Sequence, residues 1–496
     1  MPSRRKEHRK TRTVTKGRYR YSATRLPVSL AQITPPNTGE SRTCAVSDPF
    51  ILRPFWEYRD ETLDAYLVAL AAFQRGLRVS FHFEVTRDCE RFSRLPRQGG
   101  MAELFSVSDG RRTHYFRRAQ GDGTSLQASR IMDHKPSTKK LLTRYGISVP
   151  EGEVIQAGDL ERARLFCRQH PGKQFLIKPI AGTLGRDVHR NLSAEQVLEH
   201  LEDVDEAVLL EVFYAGNEYR VHVIGGQYIG AITRLPAGVM GDGRQTEKEL
   251  VESRNQLRQA HPLYRYMMIE INDAFLQSQQ LSQHMVPRVG QWISLGSIPK
   301  NSAGGESPIR TYALGEQARR VAVQVQLALA APNVGIDLIV CDEGTTRERV
   351  IVLEANQCPF QTALMAPLEA SPGMGNHTAE ALIDTYFPAS RLAPRWPAAS
   401  FDFVALRAGL SAGNVGSIAL PVLQPHWQHQ RLSLDEHAQS QVDWHRRINV
   451  MRHLGLWVQT MVLPTGARLI DVLGPATSVA EGWKAWPASV GNRCDP

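Results

Sequence analysis

Three features are missing from this 496-residue sequence, and each absence excludes a class of protein. The six cysteines are scattered without any Cys-x-x-Cys pair, which argues against a zinc site or disulfide scaffold and for a reducing cytoplasm. No apolar run approaches the roughly 18 residues of a membrane helix, and none follows the basic N-terminus as in a secretory signal. No G-x-x-x-x-G-K-[ST] sequence occurs, so a P-loop is excluded.

The formal net charge of +9 is confined to the N-terminal tail. Residues 1–25 carry ten Lys or Arg and only Glu7 as an acid, so the rest of the chain has 49 residues of each sign. Because the tail is almost free of apolar residues before Leu26, we expect residues 1–46 to be a disordered basic tail and linker. An arm for nucleic acid and a solubilising segment are both compatible with such a tail.

The segments that flank the middle of the chain predict ordinary mixed folds. Residues 47–130 read as an α/β unit, with a short strand at Phe50–Leu52, a helix at Leu63–Arg75 and an alternating strand after it. Residues 389–496 read as an accessory α+β domain. There we expect a strand at Asp402–Ala405, a helix at Leu434–Leu454 and a hairpin after it.

A polar β-hairpin is predicted near residue 345. Two β-branched apolar runs, 335–340 and 350–353, flank a polar connection. If the strands pair symmetrically about positions 345 and 346, Asp337 faces Glu354, and Asn356 points to the same side. Like charges directly opposite each other destabilise a sheet, so we expect a cation between them, and oxygen ligands suit Mg²⁺. A solvated polar hairpin without a metal is the alternative.

Two stretches suggest nucleotide binding. An apolar strand delivers Lys178 to a glycine-containing loop, which can set backbone N–H groups against phosphate, although a surface lysine is the alternative. Residues 207–214 predict a buried strand whose edge can pair with adenine. In the following hairpin, Glu218 can accept ribose hydroxyls, and the alternative there is a charged side chain in solvent.

Taken in order, several stretches resemble the ATP-grasp superfamily, above all the ATP-grasp domain of cyanophycin synthetases and bifunctional glutathione-synthesis enzymes. They are 133–150, 178–188, 211–220, 234–243, 302–305, 337 and 354–356. The resemblance covers residues 131–388. It implies an α/β fold class with α+β grasp lobes, preceded by the N-terminal α/β domain of residues 47–130 and followed by the α+β extension of residues 389–496.

The resemblance also implies roles for single residues. Lys135 and Lys178 would contact the nucleotide phosphates, and Thr183 and Gly185 would belong to a flexible lid over them. The adenine and ribose contacts would come from Glu211, Val212, Phe213 and Glu218. The Mg²⁺ ligands would be Asp337, Glu354 and Asn356, and the basic groups near the acyl phosphate or substrate carboxylate would be Arg220 and Arg234.

The implied reaction is ATP-dependent. A carboxylate attacks the γ-phosphate of ATP, and an amine captures the acyl phosphate as an amide, with ADP and phosphate released. Both substrates would be amino acids or short peptides, and the sequence leaves a homo-oligomer open. Two other functions stay open at this point: a phosphotransferase on the same fold, and a nucleic-acid-binding protein with a vestigial nucleotide site.

Overall fold

Five β-sheets with helices packed against them make up the described part of the chain. The computed structural model describes residues 48–58, 62–83, 101–180, 187–296, 303–357, 359, 362–365, 368, 377–393, 395–441, 443–484, 486 and 492–494. The predicted tail, residues 1–46, lies outside these residues. None of the described helices is long and apolar enough to cross a membrane.

The helices are numbered in chain order, and so are the strands. The helices are α1 Pro49–Glu57, α2 Thr62–Phe73, α3 Leu126–Met132, α4 Lys135–Arg144, α5 Leu160–Gln169, α6 Ala194–Glu202, α7 Glu247–Gln259, α8 Asp273–Ser278, α9 Glu316–Leu329, α10 Thr362–Met365, α11 His377–Tyr386, α12 Phe403–Ser411, α13 Glu436–Gln441, α14 Trp444–His453 and α15 Ala476–Lys484. The strands are β1 Arg78–His82, β2 Leu104–Ser108, β3 Thr113–Arg117, β4 Gln120–Gly121, β5 Gly152–Ile155, β6 Phe175–Pro179, β7 His189–Leu192, β8 Val208–Val212, β9 Asn217–Ile224, β10 Gln227–Thr233, β11 Gly238–Met240, β12 Trp292–Ser294, β13 Asn333–Cys341, β14 Arg349–Asn356, β15 Ser417–Ala419, β16 Trp427–Leu434, β17 Trp457–Val462, β18 Arg468–Pro475 and β19 Asn492–Cys494.

The first sheet has the order β15-β1-β2-β3-β4 and packs on α2. All residues of α2 are buried, as expected of a helix that is apolar on every side. The strand predicted at Phe50–Leu52 is wrong, because these residues lie in α1. Asp48 caps that helix by accepting from the Phe50 N–H at 2.9 Å, and Pro49 occupies its first position.

One strand of the first sheet comes from the far end of the sequence. Strand β15 pairs with β1, with Phe81 opposite Ile418, although residues 389–496 were expected to form a separate accessory domain. A strand from beyond residue 388 therefore completes the first sheet. The predicted domain boundaries stay predictions.

Two four-stranded sheets form the middle of the molecule. The sheet of order β5-β8-β6-β7 packs on α5 and α6, and the sheet of order β10-β9-β13-β14 packs on α4 and α9. In β9, Tyr219, Val221 and Val223 point into the helical core, so Glu218, Arg220 and His222 lie on the opposite face. This alternation places the polar residues of the second sheet together on one surface.

A small subdomain is inserted between β10 and β13. Its β11–β12 pair packs on α7 and α8 around its own apolar cluster. Arg258 of α7 is completely buried and donates to the carbonyl oxygens of Gly304 and Gly305 at 2.6 and 3.0 Å and to Glu306 at 3.1 Å. The guanidinium thereby fixes the backbone of the diglycine loop.

The last sheet has the order β17-β18-β16-β19. The predicted hairpin is confirmed as the β17–β18 pair. The strand predicted at Asp402–Ala405 is wrong, because Asp402 caps α12 by accepting from the Ala405 N–H at 2.9 Å. The single helix predicted at Leu434–Leu454 is also wrong. Leu434 ends β16, and the remainder divides into α13 and α14, the second capped by Asp443.

Candidate active site

Strands β13 and β14 form the predicted polar hairpin, and the residues of the candidate site pair in the predicted register. Asp337 lies opposite Glu354 and Gly335 opposite Asn356. The register shifts by one residue beyond Asp337, so the rest of the pairing differs from the symmetrical prediction. Because β9 pairs with the other side of β13, Arg220 is the second neighbour of Asp337. The predicted metal residues and one of the predicted basic residues therefore share one face of the sheet.

Arg220 forms a two-pronged ion pair with Asp337. Its Nε and Nη2 donate to the two carboxylate oxygens, the second at 2.8 Å. Burial alone would raise the pKa of Asp337, but the charge and hydrogen bonds of Arg220 hold that pKa below its usual value. The Arg220 guanidinium thus supplies positive charge to the facing carboxylates, between which the sequence predicted a cation.

Arg234 follows β10 and lies near the same charges. Partial burial and the positive charge of Arg220 lower the pKa of Arg234, whereas the negative charges of Asp337 and Glu354 act to raise it. No described residue forms an ion pair with Arg234. The structure therefore places Arg220 and Arg234 near each other, with the Arg220 guanidinium paired, and their predicted role near the acyl phosphate or substrate carboxylate stays a prediction.

The three predicted metal ligands fit a divalent cation chemically. Glu354 has no ion-pair or hydrogen-bond partner among the described residues, and the buried Nδ2 of Asn356 has none either. Turning the amide about its last bond exchanges its nitrogen and oxygen, so Asn356 can present an oxygen at the same place. Within the described ranges, no group of three or more His, Cys, Asp or Glu side chains could hold a metal. A cation held here would need oxygens from a bound ligand as well.

The lysine predicted at the end of β6 belongs to a buried cluster. Lys178 Nζ lies 3.0 Å from one carboxylate oxygen of Glu211, and Lys139 Nζ lies 2.5 Å from the other. Glu211 is almost completely buried at the end of β8. Sequence reasoning missed Lys139, although its position four residues after Lys135 places both on one side of α4.

Lys135 connects the two halves of the site. Burial lowers its pKa, Glu354 and Glu211 act to raise it, and Lys178 acts to lower it further. The same helix, α4, reaches Glu211 through Lys139 at 2.5 Å and contacts β14, the strand that carries Glu354. The predicted phosphate residues of one sheet and the predicted metal residues of the other therefore converge around Lys135.

The other predicted nucleotide residues are only partly described. Thr183 and Gly185 lie outside the described residues. The backbone N–H groups of Val212 and Phe213 donate to the carbonyls of Glu151 and Gln174 at 2.9 and 2.8 Å, so both are already paired. The adenine contact predicted for Glu211, Val212 and Phe213 stays a prediction.

The predicted ribose residue, Glu218, is engaged by an arginine. Arg190 of β7 donates to it at 2.7 Å, and both side chains are more than 40% exposed. An exposed pair of this kind contributes little to stability, so a ligand can displace it at small cost. The pair also joins the two central sheets on the side of the candidate site.

A second feature that the sequence did not reveal is an amide relay beside Asn356. Gln357 accepts from Gln120 of β4 at 2.9 Å and donates to Asp133 at 2.8 Å. Both partners come from elements that precede the central sheets. The relay fixes the residue after Asn356 and connects the first sheet with the site.

Lys139 gives the folded chain a measurable pH dependence. Burial, opposed by Glu211, lowers the pKa of Lys139 from its usual 10.5 to about 8. Between these two values the unfolded chain holds the proton that the folded chain has released, so stability rises with pH in this window and not below it. The free energy of unfolding of wild type minus that of Lys139→Met should rise by about 2 kcal/mol between pH 7.5 and 9.5.

Urea unfolding across that pH range measures this difference. Lys140→Met is the control, because Lys140 is exposed on the same helix. A wild-type minus Lys139→Met difference that stays flat with pH would show that Lys139 keeps an ordinary pKa.

Known proteins resemble this chain in sequence. No family model matches the chain. The chain is 27% identical over 344 residues to the glutathione biosynthesis bifunctional protein of Clostridium perfringens, covering 66% of this chain and 42% of that protein. It is 27% identical to the cyanophycin synthetase of Nostoc sp., covering 54% of this chain and 30% of that protein. A solved bifunctional glutathione synthetase from Pasteurella multocida is 24% identical, with a TM-score of 0.47, and the match covers 58% of this chain and 40% of that one.

These relatives confirm the resemblance stated from the sequence. The chain is similar to a glutathione biosynthesis protein and to a cyanophycin synthetase, and its structure mixes helices and sheets as the resemblance implied. That its two central sheets are the grasp lobes stays a prediction. It spans less than half the length of the curated relatives that it matches.

Proposed function

We propose that this chain is an ATP-dependent carboxylate–amine ligase that forms an amide or peptide bond through an acyl phosphate. The observation that carries the proposal is the position of Lys135 on α4, a helix that reaches Glu211 through Lys139 at 2.5 Å and contacts β14, the strand of Glu354. The charges of Glu354, Lys178 and Glu211 all act on the pKa of Lys135. Such an arrangement neutralises a polyphosphate on one side and can hold its cation on the other.

The first step is phosphoryl transfer to a substrate carboxylate. A carboxylate oxygen bonds to the γ-phosphorus, the bond from that phosphorus to the β-phosphate oxygen breaks, and ADP leaves. Lys135 and Lys178 neutralise phosphate charge and orient it, while Arg234, which has no ion-pair partner among the described residues, holds the anionic carboxylate. Phosphoryl transfer depends on positioning and charge stabilisation, so no nucleophilic side chain is required.

The second step forms the amide. The amine nitrogen bonds to the acyl carbon and releases a proton to solvent, and the carbon–oxygen bond to phosphate breaks. Arg220 and Arg234 stabilise the negative charge that develops on the acyl oxygen and on the departing phosphate. Water would hydrolyse the same intermediate, so the lobes must close around the substrates before this step.

Asp337, Glu354 and Asn356 are the residues that would hold Mg²⁺ together with phosphate oxygens. The cation supplies charge neutralisation of the β- and γ-phosphates when bound. The unpartnered Glu354 carboxylate and the unpartnered amide atom of Asn356 support this assignment.

The substrates we propose are an amino acid or short peptide for each of the two roles. The two relatives are named for the synthesis of glutathione and of cyanophycin, and both of these products are peptide-like. We place the enzyme in the cytoplasm, because the described cysteines Cys167 and Cys341 are free and buried.

A screen of ADP release over pairs of amino acids and short peptides tests the proposal, with products identified by mass spectrometry. We expect ADP formation to require both substrates and to give a product whose mass equals their sum minus water. A stable phosphorylated product would establish a phosphotransferase instead. No nucleotide turnover with any pair, in a protein that fails to bind Mg²⁺–ATP, would overturn the proposed function.

A further inference from the structure

His222 is a buried polar side chain without a partner in the middle of the site's sheet. It is completely inaccessible to solvent, and neither ring nitrogen has a hydrogen-bond partner in the described part of the chain. A leucine or phenylalanine would fill the same volume without leaving polar atoms unsatisfied. A histidine at this position calls for a second state in which its ring nitrogens are used.

The sheet register places His222 next to Arg220 on the polar face. The two residues are separated by one position on β9 and therefore point to the same side. The neighbours of His222 across the sheet are both glycines, Gly230 on β10 and Gly335 on β13. Pro359 and the Arg220 side chain lie over Gly335, where Arg220 Cδ is 3.5 Å from the position that a Cβ would take, so the Arg220 side chain runs beside the strand position of the imidazole.

The imidazole is uncharged and keeps a free acceptor nitrogen. Burial and the positive charges of Arg220 and Arg234 lower the pKa of His222 to about 3, with Asp337 acting in the opposite direction. A neutral imidazole has one donor nitrogen and one acceptor nitrogen. The acceptor suits a guanidinium N–H, which has no acceptor of its own.

Arg220 needs such a second acceptor if Asp337 serves as proposed. Its Nε and Nη2 donate to both oxygens of Asp337. Each carboxylate oxygen has a second lone pair, so Asp337 can bind a cation there, but the cation draws charge away from both of these hydrogen bonds and weakens them. A buried guanidinium whose carboxylate partner is shared with a cation is stabilised by a further acceptor.

We propose that His222 is a positioning residue that accepts a hydrogen bond from Arg220 when Asp337 is engaged by a Mg²⁺–nucleotide. The inference rests on the proposed function. It gives the imidazole a hydrogen-bond donor when the nucleotide is bound, and leaves Arg220 to Asp337 alone when it is not. It also explains why the site retains a histidine that is unsatisfied when empty.

Thermal unfolding and binding of Mg²⁺ with a non-hydrolysable ATP analogue test this exchange in the full chain. His222→Leu should raise the unfolding midpoint of the empty protein by about 1–3 °C, because two unsatisfied polar atoms are removed. The same variant should bind the Mg²⁺–analogue about tenfold more weakly and show a smaller midpoint rise on binding, because Arg220 loses its acceptor. His222→Gln, whose amide oxygen can accept, should recover most of the binding.

Two comparisons separate a positioning role from simple packing. Ile224→Val changes the same face of β9 without a polar group and should leave the analogue-induced midpoint rise unchanged. In an Arg220→Met background, His222→Leu should cause no further loss of affinity, because the coupled partner is gone.

Equal binding by wild type and His222→Leu would overturn the inference and leave His222 as a core residue. A wild-type protein that the Mg²⁺–analogue does not stabilise would overturn the proposed function itself. Loss of binding in His222→Gln as severe as in His222→Leu would also contradict the exchange.

Discussion

Glu354→Gln should lower ADP release about 10²- to 10³-fold without lowering the thermal unfolding midpoint. The substitution keeps the shape of the side chain and removes its charge. Glu354 has no hydrogen-bond or ion-pair partner among the described residues, so removing its charge breaks no hydrogen bond. Its attraction to Lys135 and Arg234 is lost, but so is its repulsion by Asp337, and the two effects oppose each other in stability. The loss of rate follows because the charge that holds the nucleotide's cation is gone.

The corresponding change in the other lobe is Lys178→Met. We expect a comparable loss of ADP release, because Lys178 supplies positive charge at the predicted phosphate position. Here the unfolding midpoint should also fall, because Glu211 is buried and loses one of its two lysine partners. The pair of variants therefore gives the same kinetic result with different effects on stability.

Matched controls separate these effects from general changes of charge. Glu316→Gln removes an exposed carboxylate from α9, and Lys140→Met removes an exposed lysine from α4. Both should release ADP at the wild-type rate. Full activity of Glu354→Gln, measured at saturating Mg²⁺ and ATP, would contradict the assignment of this face as the cation site.

The polar hairpin could be predicted from the sequence because its information is local. Two β-branched runs around a short polar connection specify an antiparallel pair, and a period of two then fixes which residues share a face. The bulge could not be predicted in this way. Asp337 pairs with Glu354 and Leu338 with Val352, so Leu353 is the extra residue, and nothing in its type marks it.

The ion pairs of the site depend on contacts between distant segments. Arg220 and Asp337 are 117 residues apart in sequence and meet because β9 and β13 are neighbours in the sheet. Lys139 lies on helix α4, and its partner Glu211 lies on strand β8 of the first central sheet. The residue types suggested that Arg220, Asp337 and Glu211 are functional. Only the strand order and the helix packing determine which of these charges become partners.

Both wrong strands near the ends of the chain had local signals that favoured a helix. Asp48 and Asp402 are aspartates immediately before the helical residues, and each accepts a hydrogen bond from the backbone of the first turn. A short apolar run is compatible with a buried strand and with a buried helix face, so apolarity alone did not distinguish them. The cap residue was the better guide in both places.

Arg258→Met should lower the free energy of unfolding of the inserted subdomain by about 3–5 kcal/mol. The guanidinium is completely buried and donates to Gly304, Gly305 and Glu306, and also to the carbonyl of Met267. Removing it takes from the three carbonyl oxygens the donor that they have in the described part of the chain, and Glu306 keeps Arg254 among the described residues. Gly304 adds to the dependence, because its φ of +80° requires the loop to be held in a left-handed conformation.

Urea unfolding followed by tryptophan fluorescence measures the change, because Trp292 lies in β12 of the same subdomain. Arg164→Met is the control, since Arg164 forms an exposed pair with Glu161 and should cost less than about 1 kcal/mol. A cost for Arg258→Met as small as that of the control would show that the diglycine loop is held by its own backbone. A large cost with unchanged ADP release would show that this loop is fixed for stability alone.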